Sequence, residues 1–362
     1  MTWDPTAPES GRPDQPPSAR RSVAVVLGAG GVAGAAYHAG ALAAVAEATG
    51  WDPRTADLVV GTSAGASTAA SVRAGLSAAD HLARVTRRPL SAAGAELLGA
   101  FTEPLTLDDL DRGNPFDDRL DDPTPGRTWW SPATRVLPQA PWLVGPAFLR
   151  PGPARWGVAL SGLLPVGTVS TAPIGDRIRS FSSGRWPEDP TWIVAYRTGD
   201  GRRVVFGRDD VEVPDLGTAV EASSAVPGRF RPIRLDSGRY LDGAVYSPTN
   251  ADLVANLGFD LVVVSAPMAA TDAALGSRPT LASRPRAWFA RLLADEVAAV
   301  RRRGALVLVV QPGPAELLAI QAELPDRELG PLVADTAHEE VLAQLADPEL
   351  ASTLALLSRS DA

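Results

Sequence analysis

The sequence predicts an α/β fold in which a mostly parallel central sheet lies between two layers of helices, a three-layer α/β/α arrangement. The first observation is a repeated order of strand, glycines and helix, at residues 23–34 and again at residues 58–65. The second is a pair of apolar runs, "FDLVVVSAP" and "ALVLVVQPG", which have the continuous hydrophobicity of strands buried in a parallel sheet. In such folds, ligands bind at the carboxyl ends of the strands.

The first half of the chain predicts two strand-to-helix units and then an irregular segment. The strand at residues 23–27 leads through a glycine loop into an Ala-rich helix, and the strand at residues 58–60 leads through Ser63 into a second helix. Residues 86–170 hold 12 of the 33 prolines and four of the nine tryptophans. Because proline interrupts helices and strands, we interpret this segment as an insertion and a candidate lid.

Regular patterns return in the second half. The stretch "WIVAYRTGDGRRVVFG" places two β-rich runs around Gly-Asp-Gly, which predicts a hairpin. "TAVEASSAV" predicts a short helix, and "RYLDGAVY" predicts a strand that ends in a turn. The stretch "PRAWFARLLADEVAAVRRRG" predicts a helix that ends with arginines before Gly304, and the tail from about Pro314 is predicted to be helical.

These elements predict three parts of the chain. Residues 1–21 are proline-rich and predict a disordered leader, residues 22–312 predict an α/β domain that contains the insertion, and residues 313–362 predict a helical segment packed on it. The paired arginines at residues 20–21, with the apolar run behind them, also fit a twin-arginine export signal. We favour a first strand there, because cleavage would remove the glycines that follow it.

Composition excludes several kinds of function. A net charge of −8 argues against generic nucleic-acid binding, which calls for a clustered basic surface. The absence of cysteine excludes disulfides and thiolate catalysis. No run approaches the roughly 20 apolar residues that span a bilayer, so we expect no transmembrane segment and a cytoplasmic protein that is able to act at a membrane surface.

A candidate nucleophile lies in "GTSAG", residues 61–65, which has the Gly-x-Ser-x-Gly pattern. In this pattern a sharp strand-to-helix turn forces Ser63 into strained backbone angles, and a side chain on either Gly61 or Gly65 would clash. A strand before the motif and small residues after it supply the required context. The alternative interpretation is a tightly packed turn without chemistry.

A glycine loop precedes this motif in "VVLGAGGVAGAAYHAGAL". Its consecutive N–H groups at a helix start favour stabilisation of an oxyanion. Residues 28–33 also satisfy a dinucleotide-binding fingerprint, for which Asp52 lies at about the expected distance. Because Asp52 precedes the strand that leads into Ser63, we keep nucleotide binding only as a minor alternative.

The base that would activate Ser63 is not obvious. The order Ser63, Asp242, His338 fits the chain order of an α/β-hydrolase triad. However, Asp335 or Thr336 resembles an N-cap, which would place His338 on the exposed face of the first helical turn. We therefore expect His338 to be a surface residue.

The other two histidines also have structural interpretations. His81 lies among polar helix residues. His38 lies four residues beyond Gly34, on the helix after the glycine loop, and we expect it to support that loop by a hydrogen bond.

A carboxylate remains as the base. Asp242 follows a short apolar run and precedes Gly243-Ala244, so a turn would aim its side chain from the end of a strand. An ordinary Asp has a pKa of about 3.9, so direct Ser–Asp catalysis needs a partly desolvated site. The alternative interpretation of Asp-Gly is an ordinary β-turn.

Taken in order, these motifs resemble the patatin-like phospholipase family, whose members use a Ser–Asp dyad. "AGGVAGAAYHAGAL" resembles the family's oxyanion motif, "GTSAG" its nucleophile motif, and "DGA" at residues 242–244 its Asp-Gly-Gly/Ala motif. The stretch from "EASSAVPG" to Asn250 resembles the family's segment around the catalytic Asp. Two positions depart, since Ala29 replaces a glycine and Ala33 replaces a basic residue.

The resemblance implies a serine acyl hydrolase that cleaves fatty-acyl esters of (lyso)phospholipids or related lipids at a membrane or micelle surface, with no cofactor and no metal. Ser63 would be the nucleophile and Asp242 the base. The missing basic residue leaves open a weak or catalytically silent lipid binder, and an acyltransferase would use the same residues. The N–H groups of Gly30 and Gly31 would form the oxyanion hole. The remaining motif glycines would support the loop and the turns: Gly34, Gly61, Gly65 and Gly243.

Overall fold

A computed structural model describes residues 21–111, 161–209, 211, 213–276 and 283–358. Residues 1–20 of the predicted leader and residues 112–160 of the predicted insertion lie outside the described residues. The described strands join in one sheet of order β5-β6-β3-β2-β1-β7-β8, with β4 paired to β3. The strands are β1 Val23–Leu27, β2 Leu58–Thr62, β3 Thr191–Arg197, β4 Arg202–Phe206, β5 Ile233–Leu235, β6 Gly238–Asp242, β7 Leu261–Ser265 and β8 Leu306–Val310.

The described helices cover the two faces of the sheet. They are α1 Gly31–Thr49, α2 Ala64–Arg73, α3 Ala78–Thr86, α4 Ala92–Leu98, α5 Leu107–Asp111, α6 Ala172–Ser182, α7 Leu216–Ser223, α8 Asp272–Leu275, α9 Arg284–Arg301, α10 Pro314–Ile320, α11 Asp326–Leu345 and α12 Ala351–Leu357. None of these helices is long and apolar enough to cross a membrane.

The parallel centre of the sheet is built from the predicted apolar runs. Strands β3, β2, β1, β7 and β8 are neighbours and run parallel. Alternate residues of β1 point to opposite faces, so Val25 belongs to a core that includes α1, α2 and α11, whereas Val26 belongs to a second core under α9. Two apolar cores with one sheet between them confirm the three-layer α/β/α prediction.

The C-terminal helices extend the core on the side of α1. Gly40 of α1 lies against α11, and a Cβ at this position would lie 2.9 Å from the backbone nitrogen of His338. Backbones this close bury Val333, Ala334 and Ala337 of α11 completely. The division of the chain into leader, hydrolase domain and C-terminal segment stays a prediction.

Strand β3 brings two strand ends together. The hairpin of β3 and β4 is confirmed, with Ala195 opposite Val204 on one edge of β3. On the other edge, β2 runs parallel with Thr62 opposite Val194, and β6 runs antiparallel with Asp242 opposite Ala195. The carboxyl ends of β2 and β6 therefore meet head-on beside adjacent residues of the same strand.

Candidate active site

The turn between β2 and α2 contains one residue with a strained backbone. Ser63 has φ 55° and ψ −117°, angles that a residue with a side chain rarely adopts. The turn closes because its flanking glycines touch other backbone: a Cβ on Gly61 would lie 2.5 Å from the carbonyl oxygen of Gly65, and a Cβ on Gly65 would overlap the carbonyl of Leu27. The arrangement has the geometry of a nucleophile elbow.

The side chains of Ser63 and Asp242 meet where β2 and β6 end. The hydroxyl of Ser63 lies beside the carboxyl of Asp242 and lowers the pKa of that carboxyl, and the two residues are only 6% and 2% exposed. Asp242 Oδ1 accepts the N–H of Ala244 at 2.8 Å. The turn after Asp242 lies directly on β3, since a Cβ on Gly243 would overlap the carbonyl of Val194. The carboxyl is therefore held by its own turn, with one face directed at the serine.

Burial changes the acidity of this carboxyl. Desolvation raises the pKa of Asp242 to about 7. The hydrogen bond from the N–H of Ala244 and the neighbouring hydroxyl of Ser63 act in the opposite direction and lower this pKa. A base works best when its pKa lies near the operating pH. In this environment Asp242 has a basicity that an exposed aspartate lacks.

The glycine loop places free donors next to Ser63. The N–H of Gly28 donates to the backbone carbonyl of Ser265 at 2.9 Å, and the N–H of Ala29 donates to the backbone carbonyl of Pro248 at 2.8 Å. Among the described residues, the next two N–H groups, of Gly30 and Gly31, donate to no acceptor. Gly31 has φ +62° and open space where a Cβ would point, so it faces the same cavity as Ser63.

Small residues hold the glycine loop against the serine turn. A Cβ on Gly30 would lie 2.6 Å from the Cα of Gly34, and a Cβ on Gly34 would lie 3.6 Å from the Cβ of Ala64. The N–H of Gly65 donates to the carbonyl of Gly28 at 3.1 Å. The start of α1 and the start of α2 are therefore one packed unit.

His38 fixes the glycine loop from below. Its Nε2 lies 2.7 Å from the carbonyl oxygen of Gly28, and its Nδ1 lies 2.8 Å from the hydroxyl of Ser265. Because a carbonyl only accepts, we assign the proton to Nε2, and Nδ1 then accepts from Ser265. Burial lowers the pKa of His38 to about 4, which keeps the imidazole neutral. The predicted hydrogen bond from His38 to the loop is confirmed.

The other histidines lie away from the serine. His338 Nε2 pairs with Glu47 Oε2 at 2.9 Å on the outside of the helical layer. The predicted N-cap at residues 335–336 is wrong, because α11 begins at Asp326 and continues through Pro331. His81 is 5% exposed and lines the cavity, so its assignment to a polar helix face is also wrong. Neither imidazole hydrogen-bonds to Ser63 or Asp242 in the described part of the chain.

Two further residues support the site. The N–H of Ser63 donates to Ser223 Oγ at 2.9 Å, and that hydroxyl donates to the carbonyl of Val194 at 2.6 Å. Asn250 donates through Nδ2 to the hydroxyl of Thr62 at 3.1 Å. Asn250 carried a signal in the sequence, as part of the family-like segment. Ser223 is one of several small residues in "TAVEASSAV", and no local pattern distinguishes it.

The acidic residue of the nucleotide-binding alternative has another role. Asp52 caps a short 3₁₀ turn through the N–H of Arg54 at 2.9 Å and forms an ion pair with the Arg54 side chain. The strand that follows leads into Ser63. Asp52 is therefore engaged in local structure.

A cavity of about 190 Å³ opens beside Ser63. Helix α1 contributes Gly31 and helix α2 contributes Ser67 to its wall. The rest of the wall is largely apolar, which suits a hydrocarbon chain. Its apolar residues include Val32, Val85, Leu105, Ile174, Ile178 and Phe230.

The chain matches a known protein family over most of its length. The sequence model of the family described as patatin-like phospholipase matches residues 25–255, more than half of the chain. The crystal structure of VipD from Legionella pneumophila is similar at 14% identity and a TM-score of 0.38, covering 90% of this chain and 67% of that one. The family match includes the glycine loop, the turn at Ser63 and Asp242. The chain therefore belongs to the patatin-like phospholipase family, a family of lipid acyl hydrolases.

Proposed function

We propose that this protein is a serine acyl hydrolase that cleaves fatty-acyl esters of (lyso)phospholipids or related lipids. In this proposal Ser63 is the nucleophile and Asp242 is the base. The observation that carries it is that these two buried side chains lie side by side, next to two N–H groups that donate to no acceptor among the described residues. We expect the enzyme to work in the cytoplasm, at a membrane or micelle surface.

Acylation begins when Ser63 Oγ attacks the ester carbonyl carbon. The hydroxyl proton passes to Asp242, and the carbonyl oxygen becomes an oxyanion that accepts hydrogen bonds from Gly30 and Gly31. As the tetrahedral intermediate collapses, the alcohol leaves with the proton from Asp242. The acyl group then remains bound to Ser63 as an ester.

Deacylation repeats these steps with water. Asp242 takes a proton from the water as the water oxygen attacks the acyl carbonyl carbon. The N–H groups of Gly30 and Gly31 again donate to the oxyanion that forms. Collapse releases the fatty acid, and the proton returns from Asp242 to Ser63 Oγ. One carboxyl thus serves as base and acid in both halves of the cycle.

The departures from the family motif leave the proposed oxyanion hole in place. The N–H of Ala29 is already bonded to Pro248, so its side chain does not alter a free donor. Ala33 lacks the cation that family members place on this helix, which removes a charge but no donor. Loss of one such donor reduces the rate by about 10² to 10³.

A short-chain p-nitrophenyl ester assay tests the proposal. We expect hydrolysis by the wild type, and a loss of at least about 100-fold in Ser63→Ala and in Asp242→Asn. His338→Ala is the matched control, since its partner Glu47 is remote from the turn, and it should keep full activity.

Each other outcome has a defined meaning. An inactive wild type that still binds a fatty-acid probe would favour the silent lipid binder. Transfer of the acyl group to an added alcohol in preference to water would favour the acyltransferase. Loss of activity in His338→Ala alone would refute the dyad.

A further inference from the structure

Four described arginines line the same cavity as Ser63, and two of them, Arg84 and Arg177, are buried or half-buried, whereas Arg87 and Arg327 are exposed. Arg84 lies on α3 and Arg177 lies on α6, and both contribute to the cavity wall. Arg84 is only 9% exposed. Arginine is rarely buried without a partner, so the partners of these two side chains need to be identified.

The protein satisfies these guanidinium groups only in part. Arg84 donates to the carbonyls of Thr102 at 3.2 Å and Glu103 at 3.4 Å. Arg177 lies over the ring of Phe101 at 5.6 Å from the centroid. Its Nε and Nη1 atoms are buried, and neither has a hydrogen-bond partner in the part of the chain that the structure describes. Among the described residues, no carboxylate lies within ion-pair distance of either guanidinium.

The surrounding charges leave this region positive. Burial lowers the pKa of Arg84 to about 10, so it stays charged at neutral pH, and burial keeps His81 neutral with a pKa of about 3. Buried Nδ1 of His81 also lacks a partner among the described residues.

The carboxylates of Asp109 and Glu103 attract Arg177 through space, which raises its pKa against the effect of burial, but the contacts of the nearby carboxylates are with other groups. Glu103 pairs with Arg87 at 3.6 Å, and its side chain is 73% exposed. Asp109 accepts the N–H and the hydroxyl of Thr106, and Asp326 accepts the N–H of Leu107.

We infer that Arg84 and Arg177 form an anion-binding subsite for a phosphate group on the substrate. The inference rests on the proposed function, because it places the phosphate relative to a bond cleaved at Ser63. The acyl chain is uncharged and its carboxyl carbon is attached at Ser63, so the anion belongs to the alcohol part of the ester. The subsite would supply the charge that Ala33 does not.

The substrate class that follows is a monoacyl glycerophosphate or a related phosphate-bearing acyl ester. Guanidinium groups with free N–H edges bind phosphate oxygens by charge-assisted hydrogen bonds. A neutral acylglycerol would leave the buried N–H groups of Arg177 unpaired. The cavity should therefore discriminate between the two lipids.

Binding to full-length Ser63→Ala protein tests the subsite without turnover. The probes are monomeric lysophosphatidic acid, the monoacylglycerol of the same chain length, and inorganic phosphate. We expect Arg177→Gln and Arg84→Gln in this background to weaken lysophosphatidic acid binding by about 10- to 100-fold, with monoacylglycerol binding unchanged. Arg87→Gln is the matched control, because Arg87 lines the same cavity but has Glu103 as a partner, and it should change binding less than about threefold.

A thermal-shift measurement gives a second readout. Inorganic phosphate should raise the melting temperature of the Arg177-containing protein but not that of Arg177→Gln. Without phosphate, Arg177→Gln should melt at no lower a temperature than the Arg177-containing protein. The variant loses a partly buried charge that has no ion-pair partner among the described residues. If Arg84→Gln fails to fold, Arg177→Gln alone decides the test.

The outcomes separate this inference from the proposed function. Equal affinity for the phosphorylated and neutral lipids, or unchanged lysophosphatidic acid binding in Arg177→Gln, refutes the subsite. Binding of inorganic phosphate without a preference for the phosphorylated lipid refutes the substrate assignment. Hydrolysis of a neutral p-nitrophenyl ester without a phosphate preference leaves the hydrolase standing. A preference for the phosphorylated lipid in a wild type that hydrolyses no ester leaves the subsite standing and refutes the hydrolase.

Discussion

Replacing Asp242 with Asn should make the protein more stable at neutral and alkaline pH while it removes activity. The wild-type carboxyl must ionise in a buried position, whereas the amide stays neutral. The amide of the Asp242→Asn variant would keep an oxygen for the N–H of Ala244, so the turn after β6 should survive. The change therefore isolates the cost of the buried charge.

The magnitude follows from the pKa of the carboxyl. A rise from 3.8 to about 7 costs the ionised, folded protein on the order of 4 kcal/mol. The folded state binds the proton more tightly than the unfolded state does, so the wild type has its full stability below pH 3.8. It loses that amount of unfolding free energy as the pH rises from 3.8 through about 7. Between about pH 5 and about pH 9, the advantage of Asp242→Asn should grow by about 3 kcal/mol.

Denaturant unfolding at several pH values measures this difference, and ester hydrolysis follows activity in parallel. The wild-type kcat/KM should rise through about pH 7 as Asp242 ionises, and the variant should lose about 10² to 10⁴ in rate. Glu296→Gln is the matched control, because burial also raises the pKa of Glu296 to about 7. Glu296 lies on α9, and its carboxylate accepts the N–H of Ala251. The Glu296→Gln variant should gain stability in the same pH range and keep its activity.

A constant difference in unfolding free energy between wild type and Asp242→Asn at all pH values would refute the reasoning. So would a variant that keeps the wild-type rate. The first result would mean that the carboxyl is hydrated in the folded protein. The second would mean that another group accepts the serine proton.

Two further predictions concern the frame of the site. Gly65→Ala should lower the unfolding free energy by about 3 kcal/mol, since its Cβ would overlap the carbonyl of Leu27, whereas Gly199→Ala, with open space at its Cβ, should be nearly neutral in the same denaturant titration. His38→Gln should cost about 1–3 kcal/mol at neutral pH and lower kcat more than it raises KM, by loosening the loop at Gly28. Its deficit should shrink as the pH falls from 6.5 toward about 4, because His38 of the unfolded wild type gains a proton in this range while the buried imidazole stays neutral, which destabilises only the wild type. An unchanged deficit would contradict a neutral His38.

Local patterns were sufficient to predict the described strands and their order along the chain, except the short strand β5, which no pattern marked. Continuous apolar runs mark β1, β7 and β8 because these strands are buried on both faces, and the hairpin of β3 and β4 is marked by its Gly-Asp-Gly turn. The start of α11 was mispredicted because Asp335 and Thr336 are residue types that commonly cap the N-terminus of a helix. Packing of Ala334 and Ala337 against α1 outweighs that local preference.

The candidate site was predictable in its residue types but not in its wall. Gly-x-Ser-x-Gly and Asp-Gly each require a particular backbone shape, so each leaves a local trace in the sequence. Arg84, Arg177 and His81 line the cavity from α3 and α6, which are distant in the chain. A charged residue on a short helix resembles a solvated face until the packing partner of that helix is known.

Strand topology supports the proposal that a carboxyl takes the place of an imidazole here. Strands β2 and β6 end against each other on β3, so the side chains after Thr62 and at Asp242 meet without a residue between them. The same contact excludes water from the carboxyl, and the loss of water raises its pKa to about 7. An imidazole between serine and carboxylate would require the two strand ends to separate by the width of a ring. The close contact that leaves no room for a histidine thus also gives the aspartate the basicity that a histidine would otherwise supply.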